Sequence, residues 1–93
     1  MNTNCARARA TILNKRGLHA RASAKFVETA ARFPCEITVS KDGNSVSGRS
    51  IMGLMMLAAS IGTAVELEAS GPQAKEALDA LLALIAAKFH EDV

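Results

Sequence analysis

Asn14-Lys15-Arg16-Gly17-Leu18-His19-Ala20-Arg21-Ala22-Ser23-Ala24-Lys25 joins a run that alternates like a strand to a run patterned like a helix. Upstream, from Ala6 to Leu13, Ala6, Ala8, Ala10 and Ile12 alternate with Arg7, Arg9 and Thr11, the period of a half-buried strand. Downstream, Ala20 to Arg32 contains no Gly or Pro, and Phe26, Ala30 and Phe33 recur at i, i+4, i+7 beside Val27 and Ala31. That spacing predicts an amphipathic helix whose phenylalanine stripe is core, ended by Pro34. At the junction Gly17 can supply a sharp turn, because glycine tolerates backbone angles that other residues resist. His19 then stands at the helix start, where the first backbone N–H groups have no partner and the dipole is positive. Arg21, in the first turn, offers a fork of donors suited to phosphate oxygens. A capping histidine and a surface arginine are the plainer reading of the same pattern.

Further along, Glu36-Ile37-Thr38-Val39-Ser40 alternates, Lys41-Asp42-Gly43-Asn44 signals a turn, and Ser45-Val46-Ser47 returns, which reads as a hairpin. Ser50 is a candidate N-cap for a second helix over Ile51 to Ala59. Leu54, Leu57 and Ala58 are expected to face the core. Ile51, Met52 and Met55 fall outward as an adaptable apolar patch, with at least one of Met52, Met55 and Met56 expected inside. Ala64 to Ala69 alternates again, with Val65 and Leu67 inward and Glu66 and Glu68 outward. Ser70-Gly71-Pro72 is expected to open a third helix with proline in its first turn. Leu78, Leu81, Leu82, Ile85 and Phe89 trace its stripe. His90, Glu91 and Asp92 read as a solvated, frayed tail. The order is β-α-β-β-α-β-α: an α+β open-faced sandwich, with a four-stranded antiparallel sheet covered on one face by three helices. The ferredoxin-like fold shares the first six elements, and periodicity alone does not separate the two.

The 93 residues are read as one domain, 1–93, with room for one modest core. No apolar run reaches the length of a membrane span, and no signal peptide is expected. Cys5 and Cys35 have no metal-ligand spacing and read as reduced cytoplasmic thiols, and neither a metal site nor a cofactor is expected. The net charge of +2 conceals an asymmetry: residues 1–27 carry six basic side chains and no acid, while residue 66 onward carries six acids and two lysines. A basic end that holds the histidine suits an anionic substrate or an acidic protein. Nucleic acid fits the charge but not the aromatics, since there is no Trp or Tyr and the three Phe lie in helix-like segments.

Gly17-Leu18-His19-Ala20-Arg21 resembles the active-site signature of the HPr family, the histidine-containing phosphocarriers of the bacterial phosphotransferase system. Gly48-Arg49-Ser50-Ile51-Met52-Gly53-Leu54-Met55-Met56-Leu57-Ala58 resembles that family's second helix and its regulatory serine. The two motifs stand in the family's order and spacing, and the likeness covers nearly the whole chain. One position departs: the family usually has proline after the motif arginine, where this chain has Ala22. Alanine, the best helix former, should preserve the helix start.

The resemblance implies the open-faced sandwich and a relay. Enzyme I, charged from phosphoenolpyruvate, would pass a phosphoryl group to Nδ1 of His19, which would pass it to an enzyme IIA-type protein in sugar uptake or regulation. Such a chain is a carrier with a phosphohistidine intermediate rather than a stand-alone enzyme. A nucleophilic imidazole must be neutral, and a helix N-terminus disfavours imidazolium. Arg21 and the free N–H groups would then hold the dianion. Ser50 would be the regulatory phosphosite of an HPr kinase/phosphorylase. Ala20, Arg21, Ala24, Ile51, Met52 and Met55 would form the docking surface of a monomer that uses neither nucleic acid nor membrane. The reading from a different class is a non-catalytic ligand-binding or nucleic-acid-binding regulatory domain on a ferredoxin-like fold.

Overall fold

The computed structural model describes residues 4–92. Four strands, β1 (Cys5–Thr11), β2 (Glu36–Lys41), β3 (Asn44–Ser47) and β4 (Ala64–Ser70), form one sheet in the order β1-β4-β2-β3. Every neighbouring pair is antiparallel. The helices are α1 (Ala20–Ala30), α2 (Ile51–Met56) and α3 (Ala74–Ala86), followed by a short turn, Lys88–His90. The fold is the expected open-faced sandwich. β1 is an edge strand paired with β4 alone, whereas a ferredoxin-like sheet seats β1 centrally beside β3.

The alternation sorts the two faces. Inward, Ala10, Ile12, Ile37, Val39, Val65, Leu67 and Ala69 meet Phe26, Leu54, Leu57, Leu78, Leu81 and Ile85 from the helices. Outward, Arg7 lies opposite Glu68 and Arg9 opposite Glu66, a ladder in which opposite charges face each other across strands. The hairpin closes through Asp42 and Gly43, both at positive φ (51° and 84°), between the paired Lys41 and Asn44. Two left-handed residues are what the twist of a tight hairpin requires.

Several expectations shift where the backbone departs from regular periodicity. The first helix ends at Ala30, ahead of Arg32. Beyond it, Arg49 Nη2 donates to the carbonyls of Phe33 (2.6 Å) and Cys35 (2.9 Å), groups that the ended helix and its turn leave unpaired. The second helix stops at Met56. Ala58 takes positive φ (55°) and is exposed, so Ala59 replaces it in the core. Met52, Met55 and Met56 are all exposed, so none of the three is the core methionine that was expected. The third helix begins at Ala74 rather than at Pro72. β4 runs on to Ser70, and Gly71 and Gln73 at positive φ turn the chain before the helix starts. Along that helix Leu84 is buried and Leu82 only half-buried. Phe89 leaves the helix altogether and plugs the core from the turn that follows.

Candidate functional site

The strand-to-helix junction is built from backbone contacts before any side chain matters. Gly17 takes φ +63°, and a Cβ there would lie 2.3 Å from the carbonyl oxygen of Ala59. The neighbouring Leu18 N–H donates to that same oxygen at 3.0 Å. The turn is thus fastened to the chain just beyond α2. Asn14, fully buried, donates from Nδ2 to the Gly17 carbonyl at 2.8 Å, and the Ser23 hydroxyl donates to the Leu18 carbonyl at 3.2 Å.

His19 follows as the N-cap of α1, in extended backbone conformation. Its Nδ1 accepts from the Arg21 N–H at 3.3 Å. The Ser23 N–H is taken by the His19 carbonyl. The N–H groups of Ala20 and Ala22 have no hydrogen-bond acceptor among the described residues. Proline at 22 would lack that donor. Ala22 itself is buried and faces the core, while Ala20 and Arg21 are exposed and Ala24 half-buried.

Glu91, expected as part of a solvated tail, is instead a member of the site. Its Oε2 accepts from His19 Nε2, and its Oε1 accepts from Asn14 Nδ2 at 3.0 Å. These contacts define the tautomer: Nε2 carries the proton and faces the carboxylate, and Nδ1 keeps its lone pair. Burial raises the Glu91 pKa, but the hydrogen bonds donated by His19 and Asn14, with the nearby positive charge of Arg16, outweigh it and hold the group below the ordinary value of 4.5. Lys25 Nζ fixes the tail by donating to the Phe89 carbonyl at 2.7 Å. Arg16, Arg21, Lys25, His90, Glu91 and Asp92 line a hollow of about 310 Å³. His90 is exposed, as expected. Nothing in the sequence pattern pointed to Glu91, because the three left-handed residues that swing it back, Lys88, Phe89 and His90, include no glycine.

Ser50 caps α2, its hydroxyl accepting from Gly53 N–H at 2.9 Å. Ile51, Met52 and Met55 are exposed on that helix, and α2 packs against α1. A larger hollow of about 530 Å³ lies on the open sheet face. Its Arg7 and Glu68 already satisfy each other at 3.2 Å, and its lining includes none of His19, Arg21, Ser50 or Glu91. No helix of the described residues is long and apolar enough to cross a membrane.

A family model described as the PTS HPr component phosphorylation site matches residues 6–87. The phosphocarrier protein HPr of Cupriavidus necator is 57% identical over 81 residues, 87% of this chain and 91% of the relative. HPr of Pseudomonas aeruginosa is 54% identical over 82 residues, 87% of this chain and 91% of the relative. Among solved structures, HPr-C-His from Thermoanaerobacter tengcongensis superposes with a TM-score of 0.90 at 45% identity, covering 95% of this chain and 99% of that one. With these matches along nearly its whole length, the chain belongs to the HPr family of phosphocarriers of the phosphotransferase system.

Proposed function

We propose that His19 is the phosphoryl acceptor, that Arg21 and the first amides of α1 hold the transferred group, and that residues 1–93 act as one carrier domain. The observation that carries this reading is the disposition of the ring: Nε2 is committed to Glu91, while Nδ1 meets only a backbone N–H. In the step, the Nδ1 lone pair forms a bond to phosphorus as the bond from phosphorus to the donor group of Enzyme I breaks. The donor leaves with the electron pair of that bond. The reverse exchange loads a histidine of an enzyme IIA-type protein. The chain's part is positioning and charge stabilisation. The Arg21 N–H can turn from Nδ1 to a phosphate oxygen, the N–H groups of Ala20 and Ala22, unpaired among the described residues, add two more donors, and the Arg21 side chain supplies charge.

Docking is assigned to the exposed faces of Ala20, Arg21, Ala24, Ile51, Met52 and Met55, an apolar centre with a basic rim suited to an acidic partner surface. Ser50 is proposed as a regulatory phosphosite for an HPr kinase/phosphorylase. A phosphate there adds negative charge beside the patch and opposes an acidic partner. The setting is the cytoplasm, and the carrier acts as a monomer.

Labelling with phosphoenolpyruvate and Enzyme I tests the assignment. Wild type should acquire an acid-labile, base-stable phosphate, His19→Ala none, and His90→Ala the wild-type amount. Labelling retained in folded His19→Ala would overturn it.

A further inference from the structure

Within six residues of sequence, Met52, Met55 and Met56 are 72%, 43% and 77% exposed. With Ile51 (41% exposed) they stand at i, i+1, i+4 and i+5 of α2, on one side of the helix. Methionine is among the residues most often buried, so three exposed thioethers together are unusual. Their packing does not explain them, because the core beneath is filled by Leu54, Leu57 and Ala59. We propose that Met52, Met55 and Met56 form an oxidation-sensitive cluster, modified by hydroperoxides, whose sulfoxides switch off docking of the phosphoryl donor. The docking part rests on the patch assignment made above.

The step is balanced. A hydroperoxide transfers one oxygen atom to the thioether sulfur and is itself reduced by two electrons, to water when it is hydrogen peroxide. No bond to carbon breaks, and the product is reducible by methionine sulfoxide reductases. Each event replaces a flexible apolar tip with a polar, chiral one. The fold should not register it, because the cluster lies outside the core. A partner that buries the patch should, because each S=O would lose water without gaining a donor. The order of reaction follows from access: Met52 and Met56 first, Met55 more slowly.

The full chain, carrying Cys5→Ser to remove the exposed thiol, is treated with hydrogen peroxide, freed of oxidant, mapped by peptide mass spectrometry and assayed for phosphoryl acceptance from untreated Enzyme I. Sulfoxide at Met52 and Met56 should accompany an unchanged melting temperature. The apparent affinity for Enzyme I should fall by about tenfold, the scale of losing one central interface residue. Sulfoxide reductases should restore it. The triple variant Met52→Leu, Met55→Leu, Met56→Leu, compared with its own untreated form, should show no change in Enzyme I affinity on peroxide treatment. Unchanged acceptance by the sulfoxide form, or peroxide sensitivity persisting in the triple variant, would overturn the proposal. Met52→Asp separates the two levels. If it weakens docking while the sulfoxides do not, only the oxidation switch fails; if neither does, the docking assignment fails with it.

Discussion

Arg49 and Phe33 are joined across the molecule: the guanidinium at the start of α2 donates to the Phe33 carbonyl at 2.6 Å and to Cys35 at 2.9 Å. One side chain thereby ties the end of α1, the start of β2 and the corner that presents Ser50. Arg49→Ala should lower stability by roughly 1–3 kcal/mol, the range for hydrogen bonds from a charged donor to carbonyls left unsatisfied. Arg49→Lys should recover part of that, since a point charge cannot span both oxygens. Urea unfolding of the three proteins checks this. Equal midpoints would mean that water serves those carbonyls as well.

Gly17→Ala should be among the most damaging single changes in the chain. The new methyl would sit 2.3 Å from the Ala59 oxygen, and φ +63° adds the cost of a left-handed non-glycine residue. A loss of about 2–4 kcal/mol is expected, with the phosphoryl-acceptance rate of the remaining folded fraction also reduced because His19 lies two residues on. Gly43→Ala, which meets no atom within 4 Å, is the contrasting case and should carry only the backbone cost of its positive φ. Thermal melts of both variants make the comparison.

The Glu91 carboxylate should give the protein a specific acid sensitivity. Its folded pKa is depressed, so its contribution is complete above the ordinary glutamate value of 4.5 and is lost as pH falls through the lower folded value. At pH 7, Glu91→Gln should be less stable by roughly 1–2 kcal/mol, the worth of a charged hydrogen bond. The gap should close as the pH is lowered past the Glu91 transition. A gap that stays constant with pH would show that the carboxylate's charge contributes nothing. Phosphoryl acceptance should fall too, because the Nε2–H tautomer loses its charged acceptor.

Changes to the patch should separate docking from folding. Met52→Asp is expected to weaken Enzyme I binding by roughly 1–3 kcal/mol with little change in melting temperature, since its side chain lies outside the core. Ser50→Ala should do the reverse, costing about 1 kcal/mol of stability through the lost cap while leaving docking nearly intact. Ser50→Asp keeps a cap oxygen and should weaken docking alone. Calorimetry and binding on the same preparations distinguish the three.

The sheet and the α1 junction were legible because both rest on local rules. Alternation at Ala6 to Ile12 and Val65 to Ala69 has one sheet-compatible reading, and Asp42-Gly43 is the preferred chemistry of a two-residue hairpin turn. His19 and Arg21 were visible as a motif, and the Ser50 cap followed from its place before an apolar run. What was not legible depends on left-handed residues other than glycine. Ala58, Gln73 and Lys88 to His90 adopt that conformation with no sequence signal for it. Each displaced an expected feature: Ala58 left the core, the third helix started late, and the tail turned back. Phe89 did belong to the core, but reached it by a route that helical periodicity does not describe. The role of Arg49 was hidden for another reason, since its partners are carbonyls set by where a different helix ends.

The contact between Glu91 and His19 spans 72 residues of sequence, so closing it requires the rest of the sheet and its helices to be assembled already. The last link is made by three consecutive left-handed residues, each costing about 1–2 kcal/mol relative to ordinary helical backbone. Burial of Phe89 and the Lys25 contact offset that cost only while the turn stays docked. The segment from Lys88 to Asp92 is therefore expected to open more readily than the strands and to dock late in folding. Amide hydrogen exchange should therefore show two regimes: a fast one confined to residues 88–92, and a slow one set by the strands.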